Sequence, residues 1–118
     1  MDAVSLTIGL STIAVSLLTA GLSVPMATGR TRRNHLYGAR LSASMASDEA
    51  WDAVNRYAGR QLIFASVPVL IFGVVALFLP FKQYPLLTAL CPAIVLASVL
   101  TAAVRIVMFD AEYDRRFK

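Results

Sequence analysis

The chain has 118 residues, of which 58% are hydrophobic and 15% charged, and its mean hydropathy is +0.67. Soluble domains are about 45–50% apolar and about 25% charged, so this composition excludes a soluble globular enzyme, a disordered tail and a collagen-like fibre. No charged residue lies between Asp2 and Arg30. A charge-free apolar stretch of that length indicates a segment that crosses a membrane.

Three apolar runs are long enough to cross a bilayer whose hydrocarbon core is about 30 Å thick. They cover residues 3–28, 62–81 and 86–104, and only a short segment containing Lys82 and Pro85 separates the last two. Backbone amides in lipid must bond within their own segment, so each run is predicted to be a helix. We therefore predict an all-α integral membrane protein with a single membrane domain and three transmembrane helices. The first run is too long for a signal peptide and has no basic residue before it, so we expect an uncleaved anchor.

Basic residues are concentrated in two segments, the loop over residues 29–61 and the tail over residues 105–118. These two segments hold ten of the eleven Lys and Arg residues, and Lys82 is the remaining one. Because basic flanks stay on the cytoplasmic side of a membrane, we predict that the loop and the C-terminus are cytoplasmic and that the N-terminus is outside. The same rule accounts for the pI of about 9.7, so we do not expect nucleic-acid binding.

Small and hydroxyl-bearing residues recur every three or four positions in the first and third runs. Lipid tails do not drive apolar helices together, so close helix contacts depend on such residues. Their spacing places each set on one helix face, and we predict two helix-contact faces: Ser5, Gly9, Thr12 and Ser16 in the first run, and Ala89, Ala93, Ala97 and Thr101 in the third. Either face can pack within this chain or dock on another membrane protein, and the spacing does not separate these alternatives.

The second run is bulkier and contains Pro68, where we expect a kink of structural rather than functional meaning because proline removes a backbone hydrogen bond. No charged residue lies in the interior of any run. Ion and proton paths need such groups, so this argues against a self-contained transporter or pump. Cys91 stands alone, and we interpret it as a small apolar filler.

The second half of the loop is predicted to be an amphipathic helix. Ser47 or Asp48 can cap its start, and Trp51 and Tyr57 fall on its apolar face. Trp and Tyr are enriched at membrane interfaces, so we expect this helix to lie along the inner membrane surface. It is expected to lead into the second apolar run near Gly59.

The loop also carries a motif of polar, glycine and aromatic residues. It reads N-x-x-x-G-x-R, followed by S-M-x-S-x-x-A-W-x-x-x-N-R-x-A-G-R. The pattern resembles the cytoplasmic loop of the SdpI family of small bacterial membrane proteins, and the resemblance covers residues 30–81. It implies that the chain lies in the bacterial cytoplasmic membrane. The motif positions of interest are Asn34, Gly38, Arg40, Trp51, Asn55, Gly59 and Arg60.

The resemblance implies one of two roles and no enzymatic mechanism. One is protection of the cell against a secreted toxic peptide, and the other is signalling by a membrane receptor that holds a transcriptional repressor. The partner would then be a peptide or a cytoplasmic regulator bound through the loop from Asn34 to Arg60. The alternative is architectural: Asn34, Gly38 and Arg40 tie the loop beneath the helices, and Trp51 anchors it at the interface.

The tail continues a helical pattern beyond the third run. Its apolar residues form one stripe: Ile106, Phe109, Tyr113 and Phe117. Glu112 and Arg116 are spaced as a favourable i,i+4 pair. We expect a helical extension that lies along the membrane surface or contacts a partner.

The chain offers no nucleophile beside a base, no carboxylate pair and no phosphate-binding loop, and His35 has no second ligand at metal-binding spacing. We therefore expect no enzymatic activity, no cofactor and no metal. The first functional hypothesis is an accessory subunit that docks on a larger membrane complex, such as a transporter, with that complex and membrane lipids as its partners. The alternative is the immunity or signalling role that the resemblance implies.

Overall fold

The protein forms three long helices, seen in a computed structural model that describes residues 2–30 and 38–116. They are α1 (Ala3–Ala27), α2 (Asp48–Ala76) and α3 (Leu90–Arg116), and a 3₁₀ turn, Pro85–Ala89, precedes α3. Each is long and apolar enough to cross a membrane by length and composition. The described residues contain no strand, and the prediction of an all-α protein with three spans is confirmed.

Helix α1 begins with a capping box formed by Asp2 and Ser5. The Asp2 carboxylate accepts a hydrogen bond of 2.7 Å from the Ser5 amide, and the Ser5 hydroxyl accepts one of 2.9 Å from the Asp2 amide. The bond from the Ser5 amide lowers the pKa of Asp2 below its ordinary value of 3.8, because it stabilises the charged form. The helix ends before Gly29, whose φ of +75° lies in the left-handed region that glycine adopts without strain.

Helix α2 joins the predicted loop helix and the second span into one continuous helix of 29 residues. Its start is capped by the Ser47 hydroxyl, which accepts a 3.0 Å hydrogen bond from the Ala50 amide. The expectation that residues 48–60 lie along the membrane surface is wrong, because they run in line with the span and their apolar face is covered by protein. Trp51 on that face is only 2% exposed, so it is not an anchor among lipid headgroups.

The connection between α2 and α3 is longer than the sequence predicts. Helix α2 ends at Ala76 rather than near residue 81, and residues 77–84 form turns. Pro80 has no N–H to bond the Ala76 carbonyl, and in a continued helix its ring would clash with that carbonyl, which accounts for the early end. Phe81 folds back into a cluster with Phe72 and Ala76 and is 1% exposed.

Helix α3 passes without a break from the third apolar run into the tail. The predicted end of the span at residue 104 is not an end of the helix, which continues to Arg116. The tail is therefore an extension in line with α3 and not a separate segment on the membrane surface. The stripe predicted for the tail includes Phe117, which lies outside the described residues.

Helix α2 is the centre of the bundle, with its most extensive contacts to α1 and further contacts to α3. The molecule measures 56 × 23 × 19 Å, so it is longer than the hydrocarbon core of about 30 Å. We call the end that holds residues 38–60 and 105–116 the loop end, and the end that holds Asp2 and residues 77–85 the hairpin end. The folded parts of the loop and tail project from the spans at the loop end.

Candidate functional site

The motif residue Asn55 ties the loop to α2. Its side-chain oxygen accepts a 2.6 Å hydrogen bond from the Ala39 amide, and its side-chain nitrogen donates to the carbonyls of Ala39 at 3.2 Å and Trp51 at 3.0 Å. The side chain is 1% exposed. A buried amide without partners is costly, and these three bonds satisfy it while fixing where the loop meets the helix.

A second tie comes from Asp110 on α3, which the sequence analysis did not single out. Its two carboxylate oxygens accept hydrogen bonds from the backbone amides of Ala43, at 3.1 Å, and Ser44, at 3.0 Å. Asp110 is 5% exposed. The sequence holds one signal for the burial of Asp110: it lies four residues after the apolar Ile106, a spacing that places both on one helix face. Both residues are buried in α3.

Gly38 is required where the loop crosses α2. Its φ is +107°, a conformation that side-chain-bearing residues rarely adopt. A Cβ atom at this position would lie 2.7 Å from the Asn55 side-chain oxygen and 2.8 Å from the Trp51 ring. The glycine therefore allows the loop backbone to approach these two side chains, and it serves the fold of the loop end.

Gly59 lies at a close contact between α2 and α1. A Cβ atom there would lie 2.3 Å from the Ala27 amide nitrogen and 2.8 Å from the Ser23 carbonyl oxygen. Both are backbone atoms, so they cannot move aside as a flexible side chain can. Gly59 thus sets the approach of the two helices near the loop end.

The remaining motif residues lie on the surface or outside the described part of the chain. Arg40 and Arg60 are exposed, so a partner can reach them. Asn34 falls within residues 31–37, outside the described residues, as does His35. The structure therefore divides the motif into interior residues, which hold the loop end together, and exposed arginines.

The small-residue face of the first span lies inside the bundle. Ser5, Gly9, Thr12 and Ser16 are all buried, and Gly9 lies so close to Gly73 that a Cβ atom would come within 2.9 Å of the Gly73 carbonyl oxygen. This face is covered by α2 and, at Thr12, also by Cys91 of α3, whose sulfur lies 3.4 Å from the Thr12 hydroxyl oxygen, so it is not open to a partner.

The small-residue face of the third span is exposed over its length. Ala89, Ala93, Ala97 and Thr101 all have exposed side chains. Ala97 and Thr101 also line a groove between α2 and α3. Of the two predicted faces, the one on α3 is therefore available for contact from within the membrane.

The loop end also carries a groove of about 330 Å³ between the loop, the start of α2 and the end of α3. Glu49 and Asp114 are its acidic lining residues, and Tyr113 lies beside them. Within residues 2–30 and 38–116, no group of three or more His, Cys, Asp or Glu residues could hold a metal ion. Its two carboxylates give this groove an acidic lining.

Comparison with known proteins gives one match. The family model described as the SdpI/YfhL protein family matches residues 30–109, which is more than half of the chain. The resemblance drawn from the loop and the second span is confirmed, and the match also extends through the third span. No curated protein and no solved structure matches the chain.

Proposed function

Because the chain belongs to the SdpI/YfhL protein family, and its three helices are long and apolar enough to cross a membrane, we propose that it is a non-enzymatic protein of the bacterial cytoplasmic membrane that acts by binding other proteins. In this proposal it is an accessory subunit that docks laterally on a larger membrane complex, such as a transporter, and stabilises it. Its N-terminus faces outward, and its loop and C-terminus face the cytoplasm.

The exposure of α3 is the observation that carries this proposal. In the most apolar 18-residue segment of the third span, only 6% of the residues are buried inside the molecule, whereas the share is 33% for the corresponding segment of α2. The exposed face of α3 presents Ala93 and Ala97, and the exposed Ala89 lies at the end of the 3₁₀ turn that precedes the helix. Small residues allow the backbone of a second helix to approach closely, which is how helices associate in lipid, so a helix of another membrane protein fits this face.

The polar inventory of the spans supports a binding role rather than a transport role. No charged residue lies within residues 3–28, 62–81 or 86–104. Charged side chains inside the membrane mark ion and proton paths. In this proposal the chain contributes contacts to the complex, and its partner forms the ion or proton path.

The test is recovery of a membrane complex from mild detergent with a tagged full-length chain. Ala93→Leu adds bulk to the exposed face of α3 and should lower recovery of a stoichiometric partner by about tenfold, which corresponds to about 1.4 kcal/mol. Ala14→Leu makes the same change on the exposed side of α1 and should leave recovery unchanged. Equal recovery with both variants, or no stoichiometric partner for the wild-type chain, would contradict the proposal.

Gly9 is not a suitable position for this test. It is covered by α2, and a side chain there would meet Leu77 and the Gly73 backbone. Gly9→Leu is therefore expected to disturb the chain's own fold, and a loss of complex would not identify a docking face.

A second candidate function is favoured by the family match. In this alternative the chain is an immunity or signalling protein that binds a toxic peptide or a cytoplasmic regulator at the loop end. The surface involved would be the acidic groove beside Glu49 and the exposed side chains of Arg40 and Arg60, because the interior motif residues are covered.

The alternative is tested in cells exposed to a peptide toxin. Protection by the wild-type chain should be lost with Arg40→Ala and retained with Lys82→Ala, which removes an exposed cation at the hairpin end. Membrane levels of the two variants should be equal. Full protection by Arg40→Ala, or no protection by the wild-type chain, would count against the alternative.

A further inference from the structure

A narrow groove runs between α2 and α3 where the spans meet the loop end. Its volume is about 320 Å³, which is near the lower limit of about 300–1,000 Å³ for sites that hold small molecules. The apolar wall is formed by Phe64, Ala65 and Pro68 of α2 and by Ala97 and Ala102 of α3. Such a wall of apolar side chains suits a hydrocarbon chain.

One end of the groove is polar and cationic. Arg105 and Gln61 line it there, and the guanidinium group of Arg105 donates a 3.5 Å hydrogen bond to the Gln61 side-chain oxygen. Of the described residues that line the groove, Arg105 alone is charged. Its bond is to a neutral amide, and no carboxylate of the described residues pairs with it.

A second cavity lies on the other side of Arg105, toward the end of α3. It has a volume of about 400 Å³ and is lined by Tyr57, Phe109 and the paired charges of Glu112 and Arg115 among others. The rings of Tyr57 and Phe109 stack with their centroids 4.2 Å apart and form a rigid wall between α2 and α3. Arg105 therefore stands between an apolar groove along the spans and a wider, partly polar cavity beyond them.

The position of Arg105 matches the depth of lipid phosphates. It directly follows the apolar run 86–104, which is about as long as a hydrocarbon core is thick. The groove from Arg105 back to Ala97 covers about 12 Å of helix at about 1.5 Å per residue. A group bound to Arg105 thus lies at the membrane–water interface, and the groove leads from there into the hydrocarbon core.

We propose that this groove binds one anionic phospholipid of the leaflet at the loop end. The lipid phosphate accepts hydrogen bonds from Arg105, one acyl chain lies along Pro68 and Ala97, and the rest of the headgroup enters the cavity beside Tyr57. Arginine binds phosphate with charge-assisted, often bidentate hydrogen bonds. A lipid with net negative charge is favoured because a zwitterionic headgroup carries its own cation to offset the attraction. The inference does not rest on docking of α3 to a partner.

Native mass spectrometry of the purified full-length chain tests the proposal. The probes are phosphatidylglycerol and phosphatidylcholine with identical acyl chains, added at equal concentration in detergent. We expect phosphatidylglycerol to bind with about fivefold higher affinity, the ratio that about 1 kcal/mol per cationic side chain gives. Equal binding of the two lipids would overturn the proposal.

Two pairs of variants locate the lipid. Arg105→Gln should remove the preference for phosphatidylglycerol, whereas Arg116→Gln, which removes the same charge from the end of the same helix, should retain it. Ala97→Phe should fill the groove and lower the affinity for both lipids by about fivefold, and Ala103→Phe on the exposed side of α3 should not. Equal effects within either pair would show that the lipid is not held in this groove. Because no second protein is present, failure here is distinct from failure of the accessory-subunit proposal.

Discussion

Buried polar side chains at the loop end hold the loop against the helices. Asn55 and Asp110 together accept three backbone amide hydrogen bonds from residues 39–44. The Ser44 hydroxyl accepts a further one, of 2.6 Å, from the Leu41 amide. A short loop without a hydrophobic core of its own gains its fixed shape from these bonds, because each buried amide would otherwise be unsatisfied.

Asp110→Asn is predicted to destabilise the protein. An amide offers one acceptor oxygen where the carboxylate offers two, so either the Ala43 or the Ser44 amide loses its partner. We expect a loss of about 1–3 kcal/mol in the free energy of unfolding, the range for a buried polar group left without a partner. Reversible denaturation in mixed micelles would measure it.

Glu112→Gln is the matched control for this prediction. Glu112 lies on the same helix and pairs with Arg115 and Arg116 at the surface, where such pairs contribute less than about 1 kcal/mol. If both variants unfold at the same denaturant concentration, the carboxylate of Asp110 does not hold the loop in the way the geometry indicates.

At the scale of the helices, glycines determine how closely α1 and α2 approach each other. Gly9 and Gly73 oppose each other toward the hairpin end, and Gly59 meets the backbone of Ala27 toward the loop end. The hydroxyls of the buried face of α1 bond to carbonyls of their own helix, as Thr12 does to Ile8 at 2.6 Å. This leaves the face flat and free of unpaired polar groups, which suits close packing in lipid.

Gly59→Ala is predicted to separate α1 from α2 near the loop end. The added methyl group would meet three backbone atoms of α1 at less than 3 Å, and overpacking of this kind costs about 1–3 kcal/mol. Thermal unfolding in detergent should show a lower midpoint than for the wild-type chain.

Gly21→Ala gives the corresponding control within α1. A Cβ atom at position 21 meets nothing within 4 Å, and alanine favours a helix over glycine by about 1 kcal/mol. This variant should unfold at the wild-type temperature or slightly above it. A midpoint for Gly59→Ala as high as that for Gly21→Ala would contradict the close contact between the helices.

At the scale of the whole molecule, charge and length are distributed along one axis. Asp2 and Lys82 lie at the hairpin end, and the other described cations lie at the loop end. The 56 Å length of the molecule places the folded loop and the end of α3 beyond the hydrocarbon core. Such a molecule presents an apolar side to lipid and a structured polar end to one aqueous compartment.

The predicted orientation can be measured with single cysteines in a Cys91→Ser background. A membrane-impermeant maleimide added to intact cells should label Lys82→Cys at the hairpin end and not Arg115→Cys at the loop end, because the basic segments remain in the cytoplasm. Both sites are exposed in the structure. After the cells are opened, both should react. Labelling of Arg115→Cys in intact cells would reverse the orientation.

The number of spans and the family follow from the amino-acid sequence without knowledge of the fold. Apolar runs and small-residue spacing are local properties of a chain in lipid, where every backbone amide must bond within its own helix. The loop motif is likewise a local pattern, and residues 30–109 match the SdpI/YfhL protein family. Helix ends were less well predicted, because a helix continues through polar residues when protein covers one of its faces, as α3 does at Asp110.

The packing of the three helices establishes which of the predicted faces are covered and which polar residues support the loop. The two small-residue faces look alike in sequence, yet Gly9 is buried against α2 while Ala93 is exposed. Asp110 is a loop-binding residue only because α3 brings it to the amides of residues 43 and 44, which are distant in the chain. Such contacts depend on how whole helices are placed together, and no pattern within one segment specifies that placement.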